Sequence, residues 1–169
     1  MTNEIALASR TFRDLIGRFA TGVTVVTAQD GGQAQGMTAN AVTSVSLDPM
    51  LLLVCVAKSA SAHELMDRST EFAVNILAED QMALSAFFAR PGHTDEPDPM
   101  GGFPHRAGPT GAPLLDGVMG WIECRRWQHY DGGDHTIVVG EVVEMEMARP
   151  DDAPLLFYAG GYHGLGASL

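Results

Sequence analysis

The sequence predicts a mainly β protein built as a closed or partly closed antiparallel barrel. Three observations lead to this class: short β-branched runs recur along the chain, glycine-rich turn signals separate them, and segments with helical spacing are few. The strand–helix alternation of a doubly wound sheet is absent, and neither GxGxxG nor a P-loop pattern occurs. Neither a Rossmann-type dinucleotide site nor a P-loop is therefore indicated.

Each element follows from a local pattern. Residues 9–19 predict a helix that begins at Ser9, because apolar side chains recur there at helical spacing. The β-branched run 22–28 predicts a strand, and the turn signal Asp30-Gly31-Gly32 predicts a hairpin after it. Further strands are predicted over 51–56, 72–77, 118–130, 135–147 and 155–158, with short helices over 61–68 and 80–88.

The hairpin return is an uncharged polar ribbon, residues 36–47. Read as one strand with a period of two, it places Thr38, Asn40, Val42, Ser44 and Ser46 on one face, with no charge among them. A solvated strand face usually carries charged residues, so this face fits the lining of a pocket for a neutral, hydrogen-bonding ligand. A buried barrel strand whose hydroxyls pair with neighbouring main chain fits equally well.

Residues 90–113 interrupt the pattern of strands and helices. They contain six of the nine prolines and several glycines. Loops of this length are uncommon in compact domains and are usually functional lids or disordered segments. We therefore expect a lid or a disordered segment here.

An anion site is one interpretation of the start of the predicted helix 61–68. The segment Ser61-Ala62-His63-Glu64 fits a capping box, and Lys58, the only lysine of the chain, lies just before it with Ser59. Main-chain N–H groups, hydroxyls and one positive charge would suit a phosphate. An ordinary helix start beside a surface lysine is the simpler alternative.

His135 begins the predicted strand 135–147. It shares strand parity with Val139, Val143, Met145 and Met147, so these side chains are expected to point inward unless a bulge intervenes. His135 is then either a core histidine bonded to main chain or a donor at the mouth of the barrel. No spacing typical of a metal site occurs, so we expect no metal.

The composition restricts location and partners. The 169 residues, 46% of them hydrophobic, fit one globular domain over residues 1–169. The net charge of −11 argues against nucleic acid and anionic membranes as partners. The longest apolar run, residues 50–57, is too short to span a membrane, and no secretory signal begins the chain. We therefore expect a cytoplasmic protein with Cys55 and Cys124 reduced.

Six segments, in order, resemble one known family. They are FATGVTVVTA (19–28), GMTANAVTSVSLDP (36–49), LLVCVAKSAS (52–61), FAVNIL (72–77), GGDHTIVVGEV (132–142) and PLLFYAGGYHGL (154–165). Together they are similar to the short-chain flavin reductases of two-component flavin-dependent monooxygenases, which have the FMN-binding split-barrel fold.

The resemblance implies a homodimeric, antiparallel Greek-key split β-barrel with a few flanking helices. It implies hydride transfer from NAD(P)H to FMN or FAD and delivery of the reduced flavin to a partner monooxygenase. NADH is favoured over NADPH, because the only adjacent arginine pair, Arg125-Arg126, is split by strand parity. The alternative is a flavin carrier or sensor of the same fold with little turnover. Oxidation of a small phosphorylated substrate is disfavoured, since the chain has one lysine.

The resemblance also implies roles for particular residues. Gly36, Met37, Thr38, Asn40 and Ala41 would hold the isoalloxazine and ribityl chain of the flavin, with main-chain contacts from Cys55, Val56 and Ala57. Lys58, Ser59 and Ser61 would meet the phosphate, His135 would contact the nicotinamide as the catalytic residue, and Tyr158 and Tyr162 would lie along its nucleotide. Many relatives carry arginine after the Phe-Tyr pair, where this chain has Ala159.

Overall fold

The computed structural model describes residues 2–166, with side chains from residue 7 onward. Three helices flank the strands: α1 (Thr2–Ile16), α2 (His63–Arg68) and α3 (Met82–Phe88). The strands are β1 (Thr21–Gly22), β2 (Thr24–Asp30), β3 (Gln33–Ala39), β4 (Val42–Leu47), β5 (Met50–Ala57), β6 (Glu71–Ile76), β7 (His105–Ala107), β8 (Pro113–Leu115), β9 (Gly120–Gly132), β10 (His135–Met147), β11 (Leu156–Tyr158) and β12 (Gly161–His163). No helix within residues 2–166 is long and apolar enough to cross a membrane.

Seven of the strands form one antiparallel sheet in the order β3-β2-β6-β9-β10-β5-β4. Its two edge strands, β3 and β4, are consecutive in the chain, so the polar ribbon joins one edge of the sheet to the other. This connection curls the sheet into a barrel that is split between β3 and β4. A smaller sheet, in the order β1-β11-β12, lies beside the split.

The expectation that the ribbon is one continuous strand is wrong. The ribbon breaks at Asn40 and Ala41, where β3 leaves its partner β2 and β4 begins to pair with β5. A further register shift lies between Ser44 and Ser46. The predicted alternation of faces therefore does not run through the ribbon, because its two halves belong to opposite edges of the sheet.

The hydrophobic core lies in two clusters on either side of the sheet. One fills the barrel and includes Phe72, Val54 and Val56, with Leu65 and Met66 of α2 closing it. The other lies beneath α3 and residues 100–118, around Phe88. Along β5 the buried side chains alternate with half-buried ones, so the outward side of the strand is left for a different contact.

Several helix boundaries differ from the expectation. α1 ends at Ile16 and contains Ser9 within it, so Ser9 is not its N-cap. The predicted capping box at Ser61 is not formed, because Ala62 occupies the N-cap of α2 and no side chain caps it. Asp80 lies in a 3₁₀ turn, Glu79–Gln81, that precedes α3. Local sequence identified each helix but not where its first turn closes.

The expected inward orientation of the side chains in the second half of β10 is also wrong. Val143, Met145 and Met147 are 43%, 53% and 76% exposed. Pairing with β5 stops at Glu141, and register shifts follow Val139 and Val142, so this half of β10 extends past the barrel with only β9 beside it. Nothing within residues 2–166 covers these side chains.

Residues 103–115 are anchored to the core rather than disordered. The β7–β8 hairpin is held by a hydrogen bond from the Thr27 hydroxyl to the Pro113 carbonyl (2.5 Å) and another from the Leu115 amide to Asn75 Oδ1 (2.9 Å). Buried Glu123 accepts hydrogen bonds from the amide and hydroxyl of Thr110. These anchors contradict a disordered segment over residues 103–115.

Candidate functional site

Two cavities lie next to each other along the split of the barrel. The first, here the loop cavity, has a volume of about 340 Å³ and lies between the end of β3 and residues 88–93. The second, the helix cavity, has a volume of about 540 Å³ and lies between the ribbon break and the end of α1. Their shared floor is the outward side of β5, where Leu53 and Cys55 line the helix cavity and Ala57 lines the loop cavity.

One wall of the loop cavity is fastened to the ribbon by His93. The ring is buried, its Nδ1 lies 2.8 Å from the Arg90 carbonyl oxygen, and its Nε2 lies 2.8 Å from the Gly36 carbonyl oxygen. Phe87 and Phe88 meet the ring edge-on, at centroid distances of 5.4 and 5.7 Å. His93 therefore joins the loop after α3 to the strand that the sequence marks as the ligand face.

The same wall leaves no room for a side chain at Gly36. A Cβ at this position would lie 2.8 Å from Phe88 Cε1 and 3.2 Å from Val25 Cγ1, closer than carbon atoms can approach without movement. Because Phe88 is buried in the core, its ring has little room to retreat. The strand main chain thus lies directly against the aromatic wall.

Polar groups suited to an anion remain available in the loop cavity. The hydroxyls of Ser59 and Ser61 line it and form no hydrogen bond with any described residue. The Arg90 side chain lines it too, with Nη2 donating to Glu96 Oε1 at 2.6 Å and the guanidinium 5.0 Å from the Phe87 ring centroid. The Thr38 hydroxyl cannot donate to a ligand in the cavity, because it already donates to the Ser85 carbonyl (2.6 Å).

Lys58 lies outside both cavities. Its Nζ is 2.5 Å from Asp131 Oδ1, and this hydrogen bond and charge hold the pKa of that carboxyl below its usual value. The cation that lines the loop cavity is therefore Arg90, which the sequence analysis did not single out. The Lys58 amide donates to the Asp134 carbonyl (2.9 Å), so the residue fixes the β9–β10 turn to the end of β5.

The helix cavity is almost free of charge, with Arg13 the only charged residue among those lining it. Asn40 donates from Nδ2 to the Thr21 hydroxyl (3.1 Å), which leaves Oδ1 as an acceptor at the cavity. Burial raises the pKa of the Cys55 thiol, so this side chain is neutral at physiological pH. The remaining lining is main chain and uncharged side chains, among them Thr43 and the apolar Phe19, Leu53 and Phe157.

His135 lies at the rim, paired with Ala57 across the β10–β5 ladder. Its Nδ1 is 2.7 Å from Asp134 Oδ1, and its side chain is 42% exposed. The hydrogen bond with His135, together with its charge, lowers the pKa of Asp134, and the charge of Arg13 makes a smaller contribution. The inward orientation predicted from parity is wrong, because the residue begins β10 at the open end of the barrel.

The two predicted tyrosines line neither cavity. The Tyr162 hydroxyl is 2.9 Å from the Ser85 hydroxyl, and its ring packs against Phe157. Tyr158 is half-buried, with the Arg18 guanidinium 5.9 Å from its ring centroid. Because Phe157 also lines the helix cavity, Tyr162 supports that cavity from behind.

The structure thus groups most of the predicted site residues. The loop cavity is lined by Met37, Thr38, Ala57, Ser59 and Ser61, and the helix cavity by Asn40, Ala41 and Cys55. Gly36 lies against Phe88, and the Val56 side chain is buried in the barrel, so that residue can offer only main chain. Sequence analysis missed Arg13, Arg90, His93 and Phe157. The only signal for Arg90 and His93 was their place at the start of the proline-rich loop.

Comparison with known proteins explains this arrangement. A family model described as "Flavin reductase like domain" matches residues 16–166. The chain belongs to the flavin reductase family. Among its relatives is a probable flavin reductase of Rhizobium meliloti, 46% identical over 147 residues, which are 86% of this chain and 46% of that protein. The chain thus spans about half the length of that relative.

Two further relatives are matched over most of their length. The FMN reductase (NADH) SmoA of Agrobacterium fabrum is 44% identical over 155 residues, 91% of this chain and 84% of that protein. The crystal structure of nitrilotriacetate monooxygenase component B from Mycobacterium thermoresistibile is 37% identical, with a TM-score of 0.87 over 95% of this chain and 88% of that one. The recognition of a flavin reductase and the antiparallel split barrel are confirmed. The prediction of NAD(P)H-dependent flavin reduction is confirmed at the level of the family.

Proposed function

We propose that this protein reduces FMN or FAD with NADH and supplies the reduced flavin to a partner flavin-dependent monooxygenase. One observation carries the proposal: an anion-suited cavity and an almost uncharged cavity share one strand floor along the split. A flavin nucleotide has the same two parts, a phosphate and a flat hydrogen-bonding ring system. The volumes, about 340 and 540 Å³, fall in the usual range for ligand sites.

The residues present fit a flavin nucleotide. The free hydroxyls of Ser59 and Ser61, with the Arg90 guanidinium, suit a phosphate in the loop cavity. Asn40 Oδ1 suits a ring N–H, and the apolar side chains of Phe19 and Leu53 suit the ring faces in the helix cavity. When bound, the flavin accepts at N5 the hydride that the dihydronicotinamide C4 releases, and solvent supplies the accompanying proton.

The chain contributes positioning rather than acid–base chemistry. Hydride transfer between two cofactors needs their rings held at the right separation and shielded from water. The helix cavity provides apolar walls and one oriented amide, and no carboxylate lines it. Because the lining has little charge, it favours neither redox state of a flavin strongly, which suits a flavin that must leave after reduction.

We assign His135 to the nicotinamide side of the site, as its catalytic residue. Asp134 Oδ1, 2.7 Å from Nδ1, orients the ring and leaves Nε2 for a ligand at the rim. The pairing of His135 with Ala57 places it next to the floor shared by both cavities. Tyr158 and Tyr162, by the same proposal, lie along the nucleotide of NADH, and Lys58 supports the phosphate end indirectly, by fixing the turn.

The oligomeric part of the proposal is a homodimer. In one protomer α1 exposes an apolar stripe that includes Leu7, Phe12 and Leu15, and β10 exposes Met145 and Met147. Exposed apolar surface of this extent is typical of protein interfaces. Within the dimer, we propose, each chain is a single flavin reductase-like domain. Its two cysteines, neither in a disulfide, suit the reducing cytoplasm.

The test is NADH oxidation by purified protein with FMN, FAD or no added flavin. Fast oxidation that depends on free flavin and saturates with it supports the reductase and names the preferred flavin. Replacing NADH with NADPH tests the nicotinamide preference. Slow oxidation by a protein that retains a yellow chromophore through gel filtration would favour the flavin carrier or sensor instead.

A further inference from the structure

A third cavity opens beside the helix cavity. It has a volume of about 550 Å³, and its lining includes Arg13, Arg18 and Ala159; we call it the arginine cavity. Arg13, Gly17 and Phe157 line both this cavity and the helix cavity. The two cavities therefore lie next to each other at the end of α1.

The chain holds the two sides of the arginine cavity together by main-chain contacts. The Ala159 amide donates to the Gly17 carbonyl (2.8 Å), which fastens the β11–β12 turn to the end of α1. Ala159 and Gly160 turn the chain with φ values of 50° and 83°. A Cβ on Gly17 would lie 3.0 Å from the Arg13 carbonyl, so glycine allows the close approach.

The charges of this cavity stand out in a chain whose net charge is −11. Two arginines and one carboxylate, Asp14, line it. Among the side chains of residues 7–166, neither Arg13 nor Arg18 has a carboxylate oxygen within 4.0 Å. Six other cations are paired in that way: Lys58, Arg68, Arg90, Arg106, Arg125 and Arg149. No carboxylate of residues 7–166 therefore occupies either guanidinium group of the arginine cavity. The hydrogen bond of Arg18 with Tyr158, which raises the pKa of Arg18, leaves the other N–H groups of Arg18 for an anion.

We propose that Arg13 and Arg18 bind the pyrophosphate of the dinucleotide substrate, with its nicotinamide end directed into the helix cavity. The proposal deepens the proposed function by assigning the NADH site to this chain's own cations. An almost uncharged cavity beside a positive one matches a molecule with an uncharged dihydronicotinamide ring and a doubly negative pyrophosphate. Guanidinium groups suit phosphate oxygens because their N–H groups donate in pairs.

A purely structural role for Arg13 makes a different prediction. A cation in the last turn of a helix interacts favourably with the helix dipole, and Arg13 lies in the last turn of α1. That role would change the stability of the fold and leave the affinity for NADH alone. It also gives no reason for Arg18, which follows the end of the helix, to line the same cavity.

The test compares Arg13→Gln and Arg18→Gln with Arg10→Gln, a matched control because Arg10 belongs to α1 but lines none of the cavities described. We expect each of the first two changes to raise the KM for NADH about tenfold, the loss of one charged hydrogen bond. For Arg18→Gln, because Arg18 does not line the helix cavity, the kcat at saturating NADH and the FMN dissociation constant should stay within about twofold. The control should leave all three quantities unchanged.

A binding measurement separates this proposal from the reductase activity. Calorimetric titration of the flavin-free protein with ADP-ribose, which carries the pyrophosphate without the nicotinamide, should show binding that weakens in Arg18→Gln and in Arg13→Gln. Unchanged ADP-ribose affinity and unchanged KM for NADH in both variants would overturn the proposal. If the wild type binds ADP-ribose through these arginines but oxidises no NADH, the proposed function fails while the assignment stands. Thermal unfolding shows whether each variant is folded. If one of the two arginine variants does not fold, the ADP-ribose affinity and the KM for NADH of the other variant test the proposal.

Discussion

The loop cavity and the helix cavity share a floor but are walled differently. The loop cavity is bounded by buried groups with fixed contacts: His93 between two carbonyls, and Phe88 against Gly36. The helix cavity is bounded by the end of α1 and by Phe19, which is 72% exposed. One wall is therefore part of the core, and the other is an edge open to solvent.

The difference suits a flavin that is held at one end and reacts at the other. Rigid donors in the loop cavity can select a phosphate without moving. An open helix cavity lets a second ring enter and the reduced flavin leave. The comparison predicts that changes at the loop cavity act on flavin affinity, whereas changes at the rim of the helix cavity act on turnover.

The largest effect is expected from Gly36→Ala. The added methyl would lie 2.8 Å from the Phe88 ring, so we expect a loss of about 1–3 kcal/mol in the free energy of unfolding and a clear loss of FMN affinity. Urea denaturation and an FMN titration measure the two. Gly22→Ala is the control, because nothing lies within 4 Å of a Cβ there. Equal stability of the two variants would contradict a rigid wall.

His93→Gln should weaken FMN binding about tenfold, because the hydrogen bond of His93 with Gly36, which joins the loop to the ribbon at the cavity, is lost. Riboflavin, which lacks the phosphate, should lose less affinity than FMN. His105→Gln serves as the control, since His105 is exposed on β7 and lines neither cavity. An equal loss for FMN and riboflavin would mean that His93 supports the fold rather than the phosphate end.

His135→Ala tests the open side of the comparison. We expect kcat for flavin reduction to fall about fivefold, the effect of one neutral hydrogen bond, with the FMN dissociation constant nearly unchanged. Stopped-flow reduction and an equilibrium titration separate the two quantities. If reduction rate and flavin affinity fall together, His135 is a structural histidine.

The smallest effect is a pH dependence of stability that arises outside both cavities. Burial lowers the pKa of His129 below its usual value of 6.5, and Arg126 lowers it further, while Asp67 partly opposes the shift. The folded state therefore binds this proton less readily than the unfolded chain does. The stability that neutral His129 contributes is complete above about pH 6.5 and is lost as the pH falls through the lower, folded-state pKa.

Urea denaturation at about pH 7.5 and about pH 5.5 should show this loss in the wild type and a smaller one in His129→Gln. An identical pH dependence in both would contradict the assignment. The same two proteins can be compared in FMN titrations at both pH values, to find whether His129 contributes to any pH dependence of flavin affinity. A change common to wild type and His129→Gln cannot come from His129.

Much of the site was predictable because its residues are local in sequence. The polarity of residues 36–40 and the hydroxyls at Ser59 and Ser61 marked the cavities directly. The break at Asn40 was not predictable, because alternation shows which side chains share a face but not which strand pairs beside them. His93 was missed for a similar reason, since its contact with Gly36 spans 57 residues of chain.

The apolar stripe of α1 has a consequence for handling the protein. Phe12 and Leu15 are 67% and 72% exposed, so a partner that covers them would add to the stability of the folded form. If a second copy covers them, association and folding are linked by mass action. The thermal midpoint should then rise with protein concentration, and enzyme diluted to nanomolar levels for assay should lose activity over time while concentrated stocks keep it.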